Sequence, residues 1–201
     1  MSSPSLTPPG DLTARARIRN EAFSLYAIQG EERVSMRAVA AAAGVTIGLV
    51  QHHFGTKEGL RRSVDEYVVE HFVEALAGVE HTGTAAEVVA ARDGAVRTML
   101  QENPLVVRYL LRMLLEPETR GAFVLGQLVD LTVQEIRRLR EAGFASTTTP
   151  EPVQVVRTIL GQIGEHALEP MVGAVWKRVG GSDADRPRTE ITVVQPTDPR
   201  A

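Results

Sequence analysis

The stretch SMRAVAAAAGVTIGLVQHHFGTKEGL, residues 35–60, decides how the rest of the chain is read. Ser35 is a good helix N-cap, and Met36, Val39 and Ala40 follow it at helical spacing. Ala43-Gly44-Val45 then breaks the pattern. Glycine takes a positive φ that a Cβ resists, so a tight corner is expected at Gly44. Thr46 caps a second short helix, in which Val50 and Phe54 stand four apart on one buried face, and Gly55 stops it. Two short helices joined at a glycine corner make a helix-turn-helix, whose second helix fits the major groove of double-stranded DNA.

Before this unit, Ile18, Ala22, Leu25 and Gln29 fall at helical spacing, with Phe23 and Tyr26 widening the apolar face. Thr13 is the expected cap of that helix and Gly30 its stop. After it, Thr56 caps a longer helix to about Gly78, along which Leu60, Val64, Tyr67, Val68, His71 and Phe72 are spaced. Gly83-Thr84 marks a break. Further helices are expected over 85–102, from Pro104 to a stop at Pro117, over 118–142, and over 153–178 with an interruption or kink at Pro170. The expected fold is all-α. A disordered N-terminal arm (1–12) leads into a three-helix DNA-binding domain with the helix-turn-helix (13–58). A helical effector-binding and dimerisation domain (59–180) and a flexible tail (181–201) follow.

Composition agrees with packed helices. The chain has 201 residues, 43% hydrophobic but only 4% aromatic, so its core is built from Ala, Val and Leu. It contains no cysteine, which excludes a disulfide scaffold or a thiolate metal site. No apolar run approaches the roughly 20 residues that span a bilayer, and the first ten residues lack the pattern of a secretory signal. The expected location is cytoplasmic, without a membrane partner. The net charge of −3 is unevenly spread: residues 1–62 hold eight Arg/Lys against five Asp/Glu, and residues 63–201 hold fourteen against twenty. A mildly basic head on an acidic body suits a DNA reader whose body stays off the phosphates. There is no Gly-rich phosphate loop, nucleophile elbow or metal-spaced cluster, so no catalytic activity, cofactor or metal is expected. His52 and His53 are adjacent, hence about 100° apart around a helix, and do not share an ion.

The residue types around the corner suggest roles. Thr46 sits where helix N–H groups and the helix dipole favour a phosphate. Ile47, Gly48 and Leu49 form the first turn of the recognition helix: the two apolar side chains suit thymine methyls, and Gly48 allows close approach. Gln51 suits adenine or a phosphate, and His52 either. Arg37 is the candidate for a bidentate guanine contact, whereas Ser35, Thr56 and Lys57 hold phosphates and fix register.

Taken as a block, TRARIRNEAFSLYAIQGEERVSMRAVAAAAGVTIGLVQHHFGTKEGL resembles the N-terminal domain of the TetR family of transcriptional regulators. The resemblance rests on the first helix ending near Gly30, the Ser35 position, Ala40–Val45 as A-x-x-A-G-V, His52–Gly55 as HHFG, and Lys57-Glu58 followed by Leu60. It covers about the first third of the chain. It implies an all-helical homodimer whose C-terminal domain binds a small effector that controls operator binding. It also implies DNA contacts at Arg37, Thr46, Leu49, Gln51, His52 and Lys57. Gln51 stands where the family usually has Tyr, Leu49 where it often has Thr, and Ile47 where a polar residue is common, which points to an unusual operator. The expected function is a repressor released from its operator by a small molecule. The alternative is a DNA-binding regulator without a small ligand, controlled by a protein partner or by its own concentration.

The rest of the chain carries no further motif. Dimerisation is expected through residues 118–142 and 153–178, where Gly126, Gly161, Gly164, Ala167 and Gly173 permit close helix contact. Two-fold symmetry then sets the recognition helices roughly 34–36 Å apart, or at a longer related spacing. An effector pocket needs apolar walls with a few polar anchors. The candidates are Met99, Tyr109, Met113, Phe123, Gln127, Gln162, His166 and Trp176, with Arg108 and Arg112, four apart, as a possible anchor for an anion.

Overall fold

Hydroxyl side chains set where several of the helices begin. In the computed structural model, which describes residues 14–115, 121–187 and 189–194, the helices are α1 (Ala14–Gln29), α2 (Met36–Ala42), α3 (Ile47–Phe54), α4 (Lys57–Ala77), α5 (Ala85–Glu102), α6 (Pro104–Leu114), α7 (Ala122–Glu141) and α8 (Glu151–Arg178). Ser35, Thr46 and Thr56 accept the backbone N–H groups of Ala38, Leu49 and Gly59 at 3.1, 3.3 and 3.0 Å. Each satisfies a donor that the first helical turn leaves unpaired. Thr84 and Glu87 cap α5 reciprocally. The fold is all-helical, with no strand among the described residues. No helix among them is long and apolar enough to cross a membrane. The expected arm (1–12), the Thr13 cap, the Pro117 stop and positions 195–201 lie outside the described residues.

The corner between α2 and α3 is as expected. Gly44 has φ +64°, and the Val45 N–H returns to the Ala40 carbonyl at 2.9 Å. Val39, Val50 and Phe54 are buried with Ile18, Ala22 and Tyr26 of α1, and this locks α3 onto the bundle.

That core does not stop at α3. The 58/59 division falls in the first turn of α4, and the buried α4 residues Leu60, Val64, Val68 and Phe72 belong to one continuous core. α1 packs along α6 as well as α4. Phe23 meets Tyr109 with ring centroids 5.9 Å apart. Arg112 of α6 donates to the carbonyls of Ala27 and Ile28 at 3.2 and 3.0 Å, which places a cation on the carbonyl end of α1. Arg112 is therefore engaged by α1, and the sequence expectation of an anion held between Arg108 and Arg112 gives way to this contact.

A buried polar cluster lies at the same junction. Asp65 of α4 is fully buried and accepts from Arg61 at 2.7 Å and from the Tyr109 hydroxyl at 2.5 Å. Arg61 also bonds Glu58 and approaches Glu31 at 3.9 Å. Burial pushes the Asp65 carboxyl up to about 6, against the lowering effect of the Tyr109 hydrogen bond and the Arg61 charge.

Two expectations for the C-terminal part need correction. α8 is helical without interruption through Pro170. Residues 182–187 and 189–194, expected to be loose, lie back along α8. The Trp176 indole donates to the Ser182 carbonyl at 2.7 Å. Arg186 bonds the Glu169 carbonyl at 2.9 Å and its carboxylate at 2.7 Å, and Arg157 donates to the Val193 carbonyl at 3.0 Å. Gly164 and Gly173 explain the fit. A Cβ on Gly164 would lie 2.2 Å from Ile191 Cδ1, and one on Gly173 would lie 2.7 Å from Arg186 Nη2. Polar composition alone predicted looseness because it cannot show that α8 offers notches for these side chains. Four exposed apolar residues, Val156, Leu160, Met171 and Val175, run along the same helix, and Val179 follows at its end.

Candidate DNA interface and effector cavity

The ten expected DNA-facing residues fall on α2, α3, the start of α4 and their caps. α2 packs on α3 and α3 on α4, so these residues belong to one structural unit. Ser35, Arg37, Thr46, Gly48, Gln51, His52 and Thr56 are exposed. Lys57 is half-buried. Ile47 and Leu49 are also half-buried and pack against the core, so only part of each is available to a thymine methyl. The cause is helical geometry: residues 47 and 49 flank Val50, and the face that carries Val50 and Phe54 inward takes its neighbours with it. Exposed atoms on α3 thus come chiefly from Thr46, Gly48, Gln51 and His52. The cap hydroxyls of Ser35, Thr46 and Thr56 accept from the backbone and keep their own proton to donate, as a phosphate oxygen requires. Arg15 of α1 was not singled out from sequence. It is exposed, and its guanidinium lies 5.6 Å from the centre of the Phe54 ring, beside the end of α3. The available signal was a run of three arginines at alternate positions, 15, 17 and 19, in the opening turns of α1.

The effector candidates separate more sharply. A cavity of about 290 Å³ opens between α4, α5, α7 and α8, walled by Phe72, Val96, Leu128, Ile136 and Ile163 among others. Of the eight candidates only Gln162 lines it. His166 lines an adjoining, more polar recess together with Gln162. Met99, Tyr109 and Met113 are buried in the core, with Tyr109 committed to Asp65. The Phe123 ring lies under the Arg62 guanidinium at 5.1 Å. Trp176 is engaged by Ser182, and Gln127 lines neither recess. Other polar groups that face the cavity, among them Arg92, Asp93, Thr132, Glu135 and Arg157, were missed. A charged residue in a helix reads from sequence as a solvated face, and nothing local shows that four helices leave a gap between them.

Residues 18–64 match the family model described as bacterial regulatory proteins, tetR family. That stretch holds most of α1, all of α2 and α3, and the start of α4, so the match covers the helix-turn-helix unit. The chain is 53% identical over 60 residues to the HTH-type transcriptional regulatory protein RaaS of Mycobacterium tuberculosis, a stretch spanning 30% of this chain and 28% of that protein. Among solved structures it resembles a TetR transcriptional regulator from Chloroflexus aurantiacus, with TM-score 0.66 and 21% identity over 80% of this chain and 85% of that one. It also resembles a transcriptional regulator from Rhodococcus sp., with TM-score 0.62 and 25% identity over 82% of this chain and 87% of that one. The sequence likeness to RaaS covers less than a third of either chain, whereas the structural likeness extends over 80% of this chain or more.

Proposed function

We propose that this chain is a homodimeric transcriptional regulator of the cytoplasm, a repressor that binds an operator through α3 and is released by a small molecule. What carries this reading is the pairing of an exposed α3 edge with a partly open, apolar-walled cavity whose Phe72, Val96, Leu128 and Ile163 belong to the same continuous core. The edge presents Thr46, Gly48, Gln51 and His52, supported by Arg37 and Lys57. The cavity lies behind α4, the helix that directly follows the reader. Exposed apolar residues along α8, Val156, Leu160, Met171 and Val175, give the second copy a face to cover.

Selecting bound sites from random DNA duplexes tests it. The expected product is a two-fold or near two-fold site, bound with an affinity that falls steeply as salt rises. Retention of random and selected duplexes to the same extent would overturn the reading. In parallel, Leu160→Glu together with Met171→Glu is expected to convert a dimer to a monomer in light scattering.

A further inference from the structure

The charges around the cavity, taken with the reading of that cavity as the effector site, specify what kind of molecule fits it. We propose that the ligand is an amphiphile of zero net charge. Its apolar body lies between α4, α5, α7 and α8, and its polar head, carrying both a hydrogen-bond donor and an acceptor, is held by Asp93 and Arg157.

Most of the charge in the walls is already matched. Arg92 is buried, with only 5% of its surface exposed, and it bonds Glu135 and the His81 ring at Nε2. Glu135 also takes Arg138 at 2.8 Å. The polar recess beside the main cavity adds Arg97 and Glu165, which pair at 3.4 Å. Any ligand ion drawn to these groups must break a pair that the protein has already made.

Asp93 and Arg157 differ. Asp93, half-buried on α5, accepts from the Gln162 amide at 3.0 Å. Arg157, on α8, donates one N–H to the Val193 carbonyl at 3.0 Å. Both partners are neutral, and among the described residues neither charge has an ionic partner. Both side chains line the main cavity and the polar recess alike, so they stand where the two spaces meet. A carboxylate head would be attracted to Arg157 and repelled by Asp93, and an ammonium head the reverse. A neutral head with one donor and one acceptor satisfies both, while the apolar walls take the remainder.

Three probes of equal length separate the cases: octanamide, octanoate and octylamine, each titrated into the full chain by calorimetry and checked by thermal shift. Octanamide is expected to bind at least tenfold more tightly than either ion. Asp93→Asn leaves Arg157 unopposed and is expected to move the preference about tenfold toward octanoate. Arg157→Gln is expected to move it about tenfold toward octylamine. An ion that binds the wild-type protein as tightly as octanamide overturns the proposal and leaves the cavity a ligand site. An order of preference unchanged in both variants also overturns it. Absence of binding by all three probes refutes the cavity itself as a ligand site, and the proposal with it.

Discussion

Removing one oxygen atom at the junction of head and body tests how that junction is held. Tyr109→Phe deletes the hydroxyl that donates to Asp65 at 2.5 Å while keeping the ring against Phe23. Asp65 is fully buried, so no water replaces the lost donor, and the carboxylate keeps only Arg61 as its close partner. A hydrogen bond to a charged buried group contributes about 1.5–3 kcal/mol, so a loss of about 2 kcal/mol is expected at pH 8. For a chain of this size that corresponds to roughly 4–8 °C in Tm. The loss depends on pH. The folded carboxyl sits at about 6, above the ordinary carboxylate value, so the folded state holds its proton more tightly than the unfolded chain. The stability contributed by the neutral form is complete below the unfolded value near 4 and falls as pH rises toward 6. Removing the Tyr109 donor takes away a group that favours the carboxylate, so the fall extends to higher pH. The variant is therefore expected to lose more at pH 8 than at pH 5. Urea denaturation at both pH values reads this directly. A loss below about 0.5 kcal/mol at pH 8, or an equal loss at both pH values, refutes the account of Asp65 as a buried carboxylate dependent on Tyr109.

Arg37→Ala and Lys57→Ala are both expected to weaken operator binding, but only Arg37→Ala should broaden the set of selected sites; a gel-shift series showing neither effect removes these assignments. Arg112→Ala strips the bonds to the Ala27 and Ile28 carbonyls and is expected to cost about 1–2 kcal/mol. Amide exchange over residues 26–34 should rise most, and unchanged exchange there speaks against the clamp. Gly164→Leu evicts Ile191 from its notch while raising the helix propensity of α8 by roughly 0.8 kcal/mol. Exchange over residues 189–194 is expected to increase with helix content retained, and a tail as protected as in the wild type would show that the notch is not what holds it.

The local features were legible because their causes are local. Ser35, Thr46, Thr56 and Thr84 each bond an N–H three residues on, and Gly44 turns the chain by its own φ. The sequence shows such signals directly. The Arg61–Asp65 pair left a faint trace: positions 61, 65, 68 and 72 share one face of α4, and Val68 and Phe72 on that face are buried. The cavity left none, because its walls come from four helices whose separation is set by packing over long range. The tail was misread because polar composition says nothing about a receiving groove. Only the identity of Gly164 and Gly173 hinted at one, and helical glycines have other uses.

Two glycines of this chain, Gly164 and Gly44, predict different tolerance. At Gly164 the obstacle is crowding, so any replacement is judged by its bulk. At Gly44 nothing lies within 4 Å of where a side chain would begin, yet φ is +64°. The corner of the reader is selected for handedness and not for size. Substitutes there should rank by how willingly each residue enters the left-handed region, with Asn ahead of Ala and Val last, however little room each one occupies.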